Sequence, residues 1–198
     1  MNTDKNGELL LPNGGYHRLK SFQLARLIYD ITVHFVDLYI PADSRTRDQM
    51  VQAARSGVQN IAEGSVAAAT SAKLELNLYN VARASLEELR LDYEDYLRQH
   101  KEPLWQKGSP LYSEFVTRRI ANKAGFRSFI SQAEKLTPSV QIRTVPYKSV
   151  LVANATLLLI DTAAYFLKRQ ITSRTRSFLE DGGFAERMTR MRLEKRGR

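Results

Sequence analysis

Residues 49–64 read Gln-Met-Val-Gln-Ala-Ala-Arg-Ser-Gly-Val-Gln-Asn-Ile-Ala-Glu-Gly, and their spacing predicts a helix with two unusual faces. Residues three and four apart share a face of a helix. The polar or small face holds Gln49, Ala53, Ser56, Asn60 and Glu63. The small or apolar face beside it holds Met50, Ala54, Gly57, Ile61 and Gly64. A surface helix would carry bulky charged side chains at these positions, so we expect close neighbours on both faces.

The rest of the chain predicts further helices and no strands. Apolar residues recur at helical spacing, and alternating apolar runs bounded by turns are missing. The predicted helices cover about 18–39, the motif helix ending near 64–69, 73–99, 111–136 and 149–180. The expected core residues of the third helix are Leu74, Leu78, Val81, Leu89, Tyr93 and Tyr96. The fold class is therefore all-α.

The 198 residues are suited to one domain. We expect a flexible N-terminus at 1–15, a helical bundle domain at 16–180 and a basic C-terminal tail at 181–198. The N-terminus lacks the pattern of a signal peptide, and the chain has no cysteine. These features favour a cytoplasmic protein.

The most apolar segment, 150–167, predicts a buried helix of the bundle. It contains Asn154, Thr156 and Asp161, and Lys168 and Arg169 follow it directly. A bilayer span rarely carries an unpaired Asp at its middle. We therefore expect no membrane partner.

The net charge of +9 is concentrated near the C-terminus. Residues 168–198 contain ten basic and four acidic residues, a net charge of +6. Such a segment attracts polyanions such as RNA or DNA, although a solvated tail is an equally good interpretation of charge alone. The candidate nucleic-acid-binding residues are Arg45, Arg47, Arg55, Arg174, Arg176, Arg187, Arg190, Arg192, Lys195, Arg196 and Arg198.

No catalytic or metal-binding pattern accompanies this charge. The sequence contains no Glu-x-x-His, and the three histidines lie in different regions. We expect Asn60 and Glu63 to face Ser85 and its neighbours in a structural polar layer. The chain is therefore predicted to be no enzyme, with no metal and no cofactor.

The motif helix resembles the signature of the four-helix bundle proteins first noticed as 23S rRNA intervening-sequence proteins. The resemblance rests on residues 60–64, Asn-Ile-Ala-Glu-Gly, and on 82–89, Ala-Arg-Ala-Ser-Leu-Glu-Glu-Leu, and it covers about residues 16–99. Together with Glu-Arg-Met-Thr-Arg at 186–190, it is similar to the longer subgroup with a four helix bundle suffix domain. The chain departs from the family at Gly57-Val58, where the common form has Ile-Pro, and at Gln52, where it has Arg.

The resemblance implies an antiparallel up-down four-helix bundle that assembles into a ring, a pentamer. The bundle would consist of 16–99 plus 150–175, with an additional helix at about 110–136 and a basic C-terminal extension. Relatives of this fold serve as accessory subunits of retroelement reverse transcriptases and bind nucleic acid through a basic surface. The leading hypothesis is accordingly a homo-oligomeric protein that binds nucleic acid or a nucleoprotein partner. The alternative is a scaffold that binds proteins only.

Overall fold

Helices make up most of the described chain. The computed structural model describes residues 15–136, 144–181 and 188–193. After a 3-10 turn at Gly15–Arg18 come α1 (Lys20–Tyr39), α2 (Arg45–Ala67), α3 (Ala72–Gln99), α4 (Pro110–Arg118), α5 (Lys123–Leu136) and α6 (Tyr147–Asp181). Residues 188–193 are also helical, and these three ranges contain no strand. The prediction of an all-α fold is confirmed. The expected flexible segment 1–15 lies almost wholly outside the described residues.

Serine side chains cap the N-termini of α2 and α3. The Ser44 Oγ accepts a hydrogen bond from the backbone N–H of Thr46 at 3.3 Å, and the Ser71 Oγ accepts one from Leu74 at 3.2 Å. Each bond satisfies an N–H group that has no partner inside its own helix. The third helix was predicted to begin at about residue 73, and it begins at Ala72.

The single helix predicted at 111–136 is wrong, because the structure has two helices there. Arg119 follows α4 with a left-handed backbone, φ 47°, which no α-helix can continue through. The Asn122 Oδ1 then accepts from the backbone N–H of Gly125 at 2.8 Å and caps the start of α5. The helical run is therefore broken between Arg118, the end of α4, and Lys123, the start of α5.

The four long helices share one core. α1 contacts α2 and α6, and α3 also contacts α2 and α6. The core between them contains Phe35, Met50, Leu89 and Leu151, all at most 1% exposed. α4 and α5 pack on α6. The insertion between α3 and α6 therefore lies beside the long helices and does not separate them.

The predicted core face of α3 is wrong in the first half of the helix. Leu74 and Val81 are each 48% exposed, whereas Tyr79, Ala82 and Leu86 are buried. Leu89, Tyr93 and Tyr96 are buried as predicted. The buried row begins one residue later than the apolar pattern suggested, because Tyr79 and Leu86 pack against glycines of α2.

The apolar half of α6 is mostly covered by protein. α6 is the one described helix long and apolar enough to cross a membrane, and 61% of its most apolar stretch is buried. Asn154, 2% exposed, accepts from the backbone N–H of Trp105 at 2.8 Å and donates to the Pro103 carbonyl at 3.2 Å. This polar side chain inside the apolar segment therefore holds the loop between α3 and α4.

Candidate nucleic-acid interface

The small face of the motif helix is filled by α3. A Cβ added to Gly57 would lie 3.1 Å from the Leu86 Cδ2, and one added to Gly64 would lie 2.7 Å from the Tyr79 Cε1. Real Cβ atoms essentially never approach a neighbour as closely as at Gly64 and rarely as closely as at Gly57, so the two glycines let α3 pack against α2. Burial, with a smaller contribution from Glu75, raises the pKa of Tyr79, and the phenol stays protonated.

The polar face of the motif helix forms a smaller group than predicted. The hydroxyls of Ser56 and Ser85 share a hydrogen bond of 2.9 Å. The Asn60 Nδ2 donates to the Ser56 carbonyl at 2.9 Å and to its hydroxyl at 3.0 Å. Glu63 was expected in this group, but it is exposed, and so is Gln49 at the other end of the stripe. We call the contact region of Ser56, Gly57, Asn60, Gly64, Tyr79, Ser85 and Leu86 the α2–α3 seam.

The α2–α3 seam offers no chemistry beyond packing and hydrogen bonding. A serine nucleophile needs a base within hydrogen-bond reach. The contacts of Ser56 and Ser85 are with each other, Asn60 and a helix carbonyl, the Val81 oxygen. Among the described residues, no group of three His, Asp or Glu side chains could hold a metal ion. The motif region therefore joins two helices.

Two of the predicted nucleic-acid-binding arginines have structural partners instead. The Arg47 Nη1 donates to the carbonyls of Val36 at 3.0 Å and Ile40 at 3.2 Å, and its Nη2 pairs with Asp37 at 3.1 Å. Arg47 therefore caps the end of α1, where carbonyl groups lack helical partners. The Arg174 Nε lies 2.6 Å from an oxygen of Glu75, whose side chain is only 4% exposed. A buried carboxylate needs such a partner.

The other predicted arginines remain exposed or fall outside the described chain. Arg45 and Arg55 on α2, Arg176 on α6, and Arg190 and Arg192 in 188–193 are exposed. Outside the described residues lie Arg187, Lys195, Arg196 and Arg198. Of the predicted nucleic-acid-binding residues on α6, Arg174 is paired with Glu75 and Arg176 is exposed to solvent.

Arg176 belongs to a basic surface that the sequence analysis did not assemble. Lys168 and Arg169 are exposed on the same side of α6, each about two turns before Arg176. A shallow groove on this side is lined by Tyr165, Lys168, Arg169, Thr172, Ser173 and Arg176. We call these six residues the α6 basic face. Their spacing of three and four was the signal that could have found it, but Lys168 and Arg169 were considered only as the flank of an apolar segment and in the net charge of 168–198.

The cations of the α6 basic face have no acidic partner among the described residues. Lys168, Arg169 and Arg176 form no ion pair there. The acid one turn before Tyr165 is Asp161, and it lies 3.6 Å from Arg90 of α3. Three unneutralised cations along about 12 Å of helix create a positive potential at this face.

Comparison with known proteins gives no further guide to the site. No family model, no curated protein and no solved structure matches the chain.

Proposed function

We propose that this chain is a non-enzymatic, homo-oligomeric four-helix bundle protein that binds nucleic acid through a basic surface. The observation that carries the proposal is the α6 basic face, where three exposed cations have no acidic partner in the described chain. Phosphate groups are the natural ligands of such a surface, because neutralising them releases condensed counterions. Binding of this kind is independent of sequence and sensitive to salt.

The contacts between the long helices support an antiparallel up-down arrangement. Tyr96 near the end of α3 donates to Ser149 near the start of α6 at 2.8 Å. Glu75 at the start of α3 pairs with Arg174 in the second half of α6. The two helices therefore run in opposite directions. In the proposed bundle α1, α2, α3 and α6 are the four members, and α4 and α5 form an insertion before the basic C-terminal extension.

The motifs at 60–64 and 82–89 support membership of the family of 23S rRNA intervening-sequence proteins. With it we propose a cytoplasmic ring, a pentamer in that family. Repetition of the α6 basic face in each protomer would raise the avidity for a long polyanion. The partner is RNA or DNA, alone or held by an enzyme such as a reverse transcriptase. No cofactor and no membrane take part.

A charge-reversal variant tests the proposal. We expect K168E/R169E/R176E to lose most of the affinity of the full chain for fluorescent RNA at low salt. The matched control is K107E/R127E/K135E, because these residues are also exposed and unpaired in the described chain and belong to the segment between α3 and α6. Fluorescence anisotropy across a salt series measures both. Equal affinity of the two variants would contradict the proposal.

A second candidate function is a scaffold that binds proteins only. It is favoured by a row of exposed apolar side chains on α3, with Leu74 and Val81 48% and Leu91 54% exposed. Leu74 and Val81 are seven residues apart and therefore lie on the same side of the helix, where they offer apolar contact to a partner. If the scaffold is correct, Val81→Asp disrupts assembly in light scattering, and the charge-reversal variant leaves assembly and partner binding intact.

A further inference from the structure

We propose that the α6 basic face prefers single-stranded nucleic acid, with a base stacked on Tyr165 and phosphates bound by the cations beside it. This inference rests on the proposed function and names the class of ligand. Tyr165 is the only Phe, Tyr or Trp of the described chain with a mostly exposed side chain, at 56%. The exposed ring gives the α6 basic face an aromatic surface beside its three cations.

Two contacts hold the Tyr165 ring in place without covering it. The ring meets Phe166 edge-on, with centroids 5.6 Å apart, and Phe166 packs against the core. The Arg169 guanidinium lies 5.9 Å from the centre of the Tyr165 ring. Such a cation–π contact orients both side chains. A pre-oriented ring loses little conformational entropy when a base stacks on it.

The phosphate-binding groups follow the ring along one side of the helix. Lys168, Arg169 and Arg176 supply the charge, and Thr172 and Ser173 line the same groove. The Thr172 hydroxyl donates to the Lys168 carbonyl at 3.0 Å, so Ser173 is the hydroxyl left for a phosphate. From Tyr165 to Arg176 the helix rises about 16 Å. An aromatic ring beside a row of cations is the arrangement that binds single strands without regard to sequence.

A duplex is a poor ligand for the ring. Its bases are stacked on one another, and reaching Tyr165 would require flipping a nucleotide out at a cost of a few kcal/mol. A single strand offers unstacked bases without this cost. An anionic membrane would also attract the cations, but its headgroups offer no planar base to stack on Tyr165.

The test measures how tightly the full chain, with and without the Tyr165 ring, binds four different ligands. The probes are a fluorescent mixed-sequence single-stranded RNA, the same sequence as single-stranded DNA, the duplex DNA, and vesicles of phosphatidylserine and phosphatidylcholine. Tyr165→Leu removes the aromatic face, and Tyr165→Phe keeps it. Tyr112→Leu is the control, since Tyr112 is a partly exposed tyrosine of α4.

We expect tighter binding of either single strand than of the duplex. Tyr165→Leu should weaken single-strand binding by about 5-fold to about 150-fold, the range of one lost stack. Tyr165→Phe and Tyr112→Leu should bind as the unmodified chain does. The duplex affinity should change little in any of them.

The contrary outcomes separate the two proposals. Equal binding of single strand and duplex, with Tyr165→Leu unchanged and K168E/R169E/R176E defective, would overturn the stacking inference and leave the proposed function standing. No binding of any nucleic acid by the unmodified chain would overturn both. Binding of the vesicles alone would also overturn both and assign the face to a lipid surface.

Discussion

The α2–α3 seam and the α6 basic face are both stripes of residues spaced three and four apart on a helix, but their surroundings are opposite. In the seam, α3 covers the stripe so closely that Gly64 has no room for a Cβ beside Tyr79. On the α6 basic face, no described element covers Tyr165 or pairs with Lys168 and Arg176. Helical spacing alone therefore does not distinguish a packed stripe from an exposed one, and composition is the remaining guide. Small residues suit a neighbouring helix, whereas cations and an exposed ring suit a ligand.

The seam should be the more sensitive of the two regions to added volume. We expect Gly64→Ala to lower the free energy of unfolding by about 2 kcal/mol, because overpacking costs up to about 3 and helix propensity returns up to about 1. The Tyr79 ring, 2.7 Å from the new Cβ and fully buried, cannot move aside easily. Urea unfolding followed by circular dichroism measures the change.

Alanine substitutions at two other glycines serve as controls with smaller expected losses of stability. Gly57→Ala should cost less, since the Leu86 Cδ2 at 3.1 Å is the end of a flexible side chain. Gly125→Ala in α5 should be neutral or stabilising, since its Cβ would make ordinary contacts of 3.4 Å and 3.8 Å. If all three variants have equal stability, α3 does not pack as closely on α2 as the distances indicate.

Arg174 and Arg169 stand five residues apart on α6 and should separate stability from binding. Arg174→Met leaves Glu75 buried without its partner and should lower the free energy of unfolding by about 1.5 kcal/mol, less than for a fully buried pair because Arg174 is 37% exposed. Arg169→Met should leave the stability unchanged and reduce the salt dependence of single-strand binding by about 0.7 in slope.

Urea unfolding and anisotropy on both variants check this separation. The charge change is the same in each, so any difference reflects position. If Arg174→Met has unchanged stability but binds RNA poorly, Arg174 is an RNA-binding residue, as the sequence analysis predicted, and its pairing with Glu75 is not its main role.

The sequence predicted helices better than it predicted faces. The all-α class follows from the helical spacing of apolar residues, and the structure agrees. The core face of early α3 was missed because Leu74 and Val81 look like core residues, and only the glycines of α2 decide that Tyr79 is buried instead. Arg47 and Arg174 were assigned to a ligand because their partners, Asp37 and Glu75, lie 10 and 99 residues away in sequence. No local pattern reveals a pairing at that distance.

Asp92 on α3 lies seven residues after Ser85 and should make stability depend on pH. Its Oδ2 is buried with no hydrogen-bond partner in the described chain. Burial, with smaller contributions from Glu88 and Asp95, raises the pKa of Asp92 to about 6 from an ordinary value near 3.8. The folded state therefore holds the proton more tightly than the unfolded state, so stability is full below about pH 4 and falls as the pH rises through about 6.

The expected loss is about 1 kcal/mol between pH 4 and pH 7, because solvent screens this partly buried carboxyl. Asp92→Asn should recover about that amount at neutral pH and flatten this part of the stability profile, whereas the exposed Glu63→Gln should do neither. Urea unfolding of the three proteins at several pH values checks both statements. If stability depends on pH with the same slope in Asp92→Asn and in the unmodified chain, the Asp92 carboxyl is well solvated, as the side chains of the α6 basic face are.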